Sequence, residues 1–423
     1  MRRRVTALLI GLIGLMAVVL GVGVVPAHAA GSGAEIGGII STNGTPIAGA
    51  VIDVSSAGGF DAKATSGADG KWKVALPKSG SYKVILDVTT LPPGVALAPS
   101  AKDSLTILVF EGLPATAQFD LDTTEVVTES FADKFLQLLA NGIIFGLILA
   151  LAGVGLSLIY GTTGLTNFAH GELITLGAIS TYLFNNVFDL NFIVSIAASV
   201  LVCGALGAVQ DKILWKPLRR RGTGLIAMLV VSIGLGIFLR YVILFFFGGD
   251  TKQFRTFNGQ PGISFGPIDV TPKSLVGSVV AIALLAFTGW WLLRTRLGKA
   301  SRAVSDNPAL ASASGIDVER VINTVWILGA GLAAFSGILL AMGQGVNWQM
   351  GFSILLLTFA GVTLGGLGTA FGALVGSLVV GLLIEMSTLF IPPELKNVGA
   401  LVILIVILLI RPQGILGRRE RVG

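Results

Sequence analysis

From Phe135 almost to its end, this 423-residue chain is a succession of apolar runs separated by short polar breaks, a pattern that leaves little room for a water-soluble fold. A helix rises 1.5 Å per residue, so about 20 apolar residues cross the ~30 Å hydrocarbon core of a bilayer. Nine segments approach that length: residues 135–160, 168–188, 192–214, 224–247, 274–293, 321–343, 352–368, 370–390 and 396–410. Gly361, Gly365, Gly366, Gly368, Gly372 and Gly376 crowd the seventh and eighth. A re-entrant or broken helix packed against protein competes there with two clean crossings. Composition agrees with a lipid solvent, since 53% of residues are hydrophobic and 12% charged, against about 25% charged in soluble domains. The formal charge of +6 sits in short Lys and Arg clusters between the apolar runs. That arrangement orients membrane helices and argues against nucleic-acid binding. Cys203 is the only cysteine, and His28 and His170 are the only histidines. An intrachain disulfide is therefore excluded, and the ligands for a zinc centre are too few.

The first thirty residues carry Arg2-Arg3-Arg4, an apolar run from Val5 to Val25, and Pro26-Ala27-His28-Ala29-Ala30. These are the parts of a secretory signal peptide over residues 1–30, with an uncleaved anchor as the alternative. Residues 31–122 then alternate apolar and polar side chains with frequent turns, which predicts a small all-β sandwich outside the cytoplasm. One face of Lys71–Leu76 collects Trp72, Val74 and Leu76, and one face of the next run collects Tyr82, Val84 and Leu86, with Asn43-Gly44 and Asp69-Gly70 as turns. An acidic, Thr-rich linker covers 123–134, the transmembrane domain 135–417, and a basic tail 418–423.

Basic residues concentrate in three places: Lys216 with Arg219, Arg220 and Arg221; Arg294, Arg296, Lys299 and Arg302; and Arg411, Arg418, Arg419 and Arg421. If these face the cytoplasm, three spans precede the first cluster, two separate it from the second, and four follow. The amino end is then outside and the carboxyl end inside, in agreement with an exported β-domain.

The stretch from Arg294 to Asp317 is too polar to span and too patterned for a plain loop. Two short helices fit, the second with Pro308 in its first turn, Asp306 or Asn307 as its cap, and Gly315 at its close. Such a helix on the inner surface is a handle that a soluble motor can push. Pattern alone does not separate that handle from a solvated amphipathic connector.

The Arg-Ala-x-x-Asp-Asn-Pro-x-x-Ala core of this stretch is followed by Gly315-Ile316 and by Gly-Ala-Gly-Leu-Ala-Ala-Phe-Ser-Gly at 329–337. It resembles the coupling-loop region of branched-chain amino acid ABC permeases of the LivH type. Gly155-Leu-Ser-Leu-Ile-Tyr-Gly161 with Thr166-Asn-Phe-Ala-His-Gly-Glu172, and Arg411-Pro-Gln-Gly-Ile-Leu-Gly417, are similar to that family's first-to-second-helix and carboxyl-terminal blocks. The amino-terminal domain resembles carboxypeptidase-regulatory-like or Cna-B-like modules through Gly44 to Ile52, Asp69-Gly70-Lys71-Trp72 and Gly80-Ser81-Tyr82, and typical family members lack it.

The resemblance implies a bacterial inner-membrane importer with a second related permease, two cytoplasmic ATPase subunits and an extracytoplasmic substrate-binding protein. It implies an ATPase-coupling set of Gly298, Arg302, Asp306, Asn307, Pro308, Ala309 and Gly315. The chain has no Gly-x-x-x-x-Gly-Lys-Ser/Thr loop, so ATP would be held by the partners and this subunit is expected to be no enzyme. Within the spans, Asn167, His170 and Glu172, read at the cytoplasmic start of the second segment, and Glu385, in an apolar helix, are candidates for the pathway or for packing. Gln344 and Asn347 are read near the outer mouth. Branched-chain or other apolar amino acids are the expected cargo; urea or short amides, or an ion-driven secondary carrier, are the alternatives.

Overall fold

The computed structural model describes residues 34–396, apart from 43–44, 57–58, 98–102, 110–114, 120, 124–129 and 256–261, together with positions 398, 401, 402, 405 and 409. The signal segment, the Asn43-Gly44 turn, the Arg411–Gly417 block and the basic tail lie outside these residues, as does most of 396–410. Ahead of Ser130 the chain forms a strand-rich unit; from Ser130 onward it forms a helical unit.

The strands are β1 (Ala34–Ile39), β2 (Ser41–Thr42), β3 (Thr45–Pro46), β4 (Val51–Ser56), β5 (Asp61–Thr65), β6 (Lys71–Leu76), β7 (Gly80–Asp87), β8 (Val95–Leu97), β9 (Ser104–Val109), β10 (Ala115–Thr116) and β11 (Leu121–Thr123). A three-stranded sheet runs in the order β10-β1-β6 and a four-stranded sheet in the order β5-β4-β7-β9. The expected period-2 pattern holds. Trp72, Val74 and Leu76 are buried, and with Ile36 they share one apolar core with Ile52, Val54, Tyr82, Val84 and Leu86 of the larger sheet. Gly70 closes the turn before β6 at φ +72°, a conformation that favours glycine, while Asp69 Oδ1 accepts from the Lys71 N–H at 3.2 Å.

The helical unit opens at α1 (Phe131–Thr163), four residues before the predicted span, because Ser130 Oγ accepts from the Ala132 N–H at 3.3 Å and Asp133 sits in the first turn. The end of the expected linker is thus helix. There follow α2 (His170–Tyr182), with a π turn at Leu183–Val187, and α3 (Phe192–Gln210), which runs through a second π turn into α4 (Lys216–Arg220). Next come α5 (Leu225–Phe247), a hairpin of β12 (Ile263–Phe265) and β13 (Ile268–Val270), and α6 (Pro272–Arg294). The remaining helices are α7 (Arg296–Asp306), α8 (Pro308–Ala313), α9 (Val318–Gln344), α10 (Met350–Gly365) and α11 (Ala370–Ser387). Among the described residues six helical stretches are long and apolar enough to cross a membrane: α1, the continuous α3–α4, α5, α6, α9 and α11. The seventh predicted segment shortens to α10, with 16 residues, while the second is helical from His170 through the π turn to Val187. Both begin after a non-helical break.

Close backbone approach builds the bundle, as expected where lipid gives no hydrophobic incentive for helices to associate. Gly142 and Gly146 of α1 lie against Leu382 and Leu378 of α11, each at 3.0 Å from where a methyl would begin. Gly155 meets Gly329 of α9, and Ser336 Oγ donates to Ile148 O at 2.7 Å. Moving seven residues forward on α1 moves the partner seven back on α9, so the two are antiparallel. The breaks that follow them are alike. Asn167-Phe-Ala-His-Gly171 and Asn347-Trp-Gln-Met-Gly351 stand 180 residues apart. In each, the asparagine Oδ1 accepts from the N–H two residues on, at 3.1 Å for Ala169 and 2.8 Å for Gln349. The units α1–α3 and α9–α11 are therefore an inverted internal repeat, a plan common among transporters.

Two outcomes test this packing. Leu86→Ala, a buried deletion in the strand unit, lowers its stability by about 2–5 kcal/mol, read as faster hydrogen exchange of β4 and β7 amides in the full chain. Gly329→Leu forces α1 and α9 apart at a cost of about 1–3 kcal/mol or more, read as loss of monodisperse protein after detergent extraction.

Candidate functional site

The polar stretch after α6 folds as two short helices, as expected. Thr295 Oγ1 accepts from the Gly298 N–H at 3.0 Å and caps α7. Gly298 has no room for a side chain, since a methyl there would begin 2.6 Å from Leu292 Cα. Ser301 and Val304 point into the bundle, while Arg302 is exposed. Of the two candidate caps, Asn307 is the one used: its Oδ1 accepts from the Leu310 N–H at 2.9 Å, and Asp306 ends α7. Pro308 and Ala309 form the exposed first turn of α8, and Gly315 takes φ +82° just beyond its end. Leu310, which the sequence reading passed over, is 65% exposed at the centre of this helix. Asp317 Oδ1 then accepts from the Arg320 N–H at 3.0 Å and starts α9 without slack.

The start of α9, just after the hairpin, is tied to the end of α3–α4. Arg219 of α4 lies 2.8 Å from Asp211 and 3.2 Å from Glu319, the second residue of α9, and Lys216 stands 3.6 Å from the same Glu319. Behind them Trp215 stacks on Trp326 with ring centroids 5.9 Å apart. Two of the three basic clusters thus sit at one end of the bundle.

The other polar site lies at the breaks. His170 Nε2–H donates to Ala152 O at 3.0 Å. Ala152 is eleven residues before the end of α1, about 16 Å along its axis. Asn167, His170 and Glu172 therefore do not stand at the cytoplasmic start of a span. The segment 164–169 folds back into the bundle and carries them toward its middle. His170 and Glu172 face different ways, as their spacing predicts. Glu172 is 1% exposed, and its Oε1 accepts from Arg240 Nε and Nη2 of α5 at 3.1 and 3.0 Å. The Arg240 guanidinium lies 3.6 Å over the ring of Phe352. Ser232, eight residues before Arg240 on α5, accepts from the Phe168 N–H at 3.1 Å. The facing break closes on the first: Gly171 and Gly351 pass backbone to backbone, and Gly351 N–H donates to Thr175 Oγ1 at 3.1 Å.

Glu385 is less central than its apolar context suggests. It lies two residues from the end of α11 and accepts from Lys396 Nζ at 2.8 Å. Asn347 is spent on its own turn and donates from Nδ2 to Thr251 Oγ1 at 3.1 Å; Gln344 is the last residue of α9. Arg240 was missed in the sequence, although a lone cation inside the apolar 224–247 run is the signal that finds it. The repeated Asn-(Phe/Trp)-x-x-Gly was equally visible. Among the described residues no cluster of metal ligands occurs.

A family model described as a branched-chain amino acid transport system / permease component matches residues 138–408. The high-affinity branched-chain amino acid transport system permease protein LivH of Salmonella typhimurium is 33% identical over 300 residues, covering 68% of this chain and 96% of that protein. BraD of Pseudomonas aeruginosa, a permease protein of the same description, is 30% identical over 301 residues, covering 68% and 97%. LivM of Salmonella typhimurium, also described as a permease protein of that system, is 25% identical over 296 residues, covering 64% of this chain and 68% of its own length. The family match takes in all but the first turns of α1, every later helix, both breaks and the polar hairpin, and the chain belongs to the branched-chain amino acid transport permease family.

Proposed function

We propose that this chain is a permease subunit of an ATP-binding-cassette importer that moves branched-chain or other apolar amino acids handed to it by an extracytoplasmic binding protein. The observation that carries this reading is the α7–α8 hairpin. It is rigidly capped, buried along one side, and presents Leu310 beside Pro308 and Ala309 as an exposed apolar knob. A permease without a nucleotide site must receive its work mechanically, and a capped helix held by Gly298 and by the start of α9 transmits force with little slack.

The arrangement supports a cytoplasmic hairpin by the basic-cluster rule, which puts the strand unit outside the cell, where it binds or spaces, and the carboxyl end inside. Two ATPase subunits would meet two hairpins, one from this chain and one from a second, related permease. The existence of both LivH and LivM among the relatives fits such a pair. An ion-driven carrier is the weaker reading, because Glu172 and Glu385 are both held in ion pairs with neighbouring cations. Urea or short amides would demand the same machinery with a different binding protein.

Three outcomes follow. Leu310→Asp removes the knob and lowers co-purification of the ATPase subunits by about tenfold, the scale of one lost buried apolar anchor. Gly315→Ala forces a side chain into the left-handed region at a cost of about 1–2 kcal/mol and, like Asp306→Ala, leaves insertion normal while lowering substrate moved per ATP hydrolysed in reconstituted vesicles; coupled uptake at the normal ratio in both would refute the hairpin's role. Ser312→Cys is labelled by a membrane-impermeant thiol reagent only from the cytoplasmic face, with buried Cys203 silent.

A further inference from the structure

Arg240 is placed where an unused charge is costly. It lies seven residues, about 10 Å, before the end of α5 and fifteen, about 22 Å, after its start. Lipid would not tolerate a cation at that depth without a partner. Glu172 supplies one, but only to one edge of the guanidinium: both recorded bonds, from Nε and Nη2, converge on the single oxygen Oε1. Among the described residues Nη1 has no hydrogen-bond acceptor. The group is held in plane by Phe352 beneath it and by Glu172 behind it, and 15% of the side chain is exposed. Guanidinium planes fixed this way present a two-pronged donor that matches a carboxylate.

The surroundings of that open edge are selective. Glu172 and Phe352 occupy equivalent places in the inverted repeat, each following the glycine of its break, so Arg240 is clasped between the two halves. The first turns of α2 and α10 both begin here, and their N-terminal dipole ends favour an anion. Down the same face of α10 run Phe352, Leu356 and Phe359, with Phe168 packed 4.9 Å from Phe359. Phe352 and Leu356 are 43% and 53% exposed. A cation with a free fork next to an exposed apolar and aromatic stripe is the chemical complement of an α-carboxylate attached to an aliphatic side chain.

We propose that Arg240 is a carboxylate-recognising residue of the translocation route, positioned by Glu172 and Phe352, with the Phe352–Leu356–Phe359 stripe receiving the aliphatic part of an apolar amino acid. This rests on the importer reading and narrows it: a solute without a carboxylate, such as urea or a short amide, has no use for the fork.

The test uses the complete importer, with both permeases, the ATPases and the binding protein, in sealed vesicles supplied with ATP, scoring radiolabelled leucine uptake and binding-protein-stimulated ATP hydrolysis together. Arg240→Gln is expected to lower leucine uptake by about tenfold or more, the cost of a lost charged hydrogen bond, while stimulated hydrolysis stays near normal. Arg240→Lys, which keeps the charge toward Glu172 and removes the fork, is expected to lower the leucine moved per ATP as well, and it serves where Arg240→Gln does not assemble. A normal uptake-to-hydrolysis ratio in Arg240→Lys overturns the proposal. So does recovery of leucine uptake on exchanging the pair, Glu172→Arg with Arg240→Glu, since a purely architectural bridge tolerates reversal. If the unaltered importer moves no leucine with ATP, the importer reading itself fails and takes this inference with it.

Discussion

Backbone that leaves a helix inside hydrocarbon has no water to bind, and this constraint organises the helical unit. The chain breaks twice within the bundle, at 164–169 and at 345–349. Each break is made affordable by protein alone: an asparagine side chain takes the N–H two residues on, at the entrance to the next helix, and the following glycine lets the two breaks touch. Around this contact the remaining helices arrange themselves. α1 and α9 cross at Gly155 and Gly329, α11 closes on α1 through Gly142 and Gly146, and α5 lies along the first break through Ser232, Gly236 and Arg240.

The same geometry joins the hairpin and the breaks through one helix. The hairpin of α7 and α8 sits at one end of the bundle, fastened to the start of α9 by Asp317 and approached from the side by Arg219 on Glu319. α9 then runs buried past the first break to the outset of the second. A displacement of the hairpin would therefore reach the helix that both breaks lean on. α5 is held more lightly. It is mostly exposed, and its polar contacts are with Thr166 and Phe168 of the first break, with Glu172 of α2 and, at its far end, with Lys252, whose Nζ donates to Phe247 O.

Much of this plan was legible before any coordinates. The alternation in Lys71–Leu76 and Tyr82–Leu86 is a local property of a strand buried on one side, and those residues are in the core of the strand unit. The capped hairpin was readable because caps are local chemistry: Pro308 and Gly315 mark the two ends of a helix by their own backbone limits. The choice between Asp306 and Asn307 as cap was not, since both side chains can accept and only the extended backbone at Asn307 decides it. The depth of His170 was misread for a related reason. Two apolar runs separated by only seven residues look joined by a loop at a membrane surface, and nothing in either run records that the loop turns back inward.

What the sequence determined alone was the solvent of each segment, the local caps and turns, and the lack of a nucleotide cradle. All of these depend on residues within a turn or two of one another. What the tertiary structure decided was which polar groups share a partner. Glu172 and Arg240 are 68 positions apart, and Gly171 and Gly351 are 180. Their meeting follows from how α1, α5 and α9 pack against the breaks, and a burial penalty on charge and backbone, felt only once those helices close, fixes the pairing.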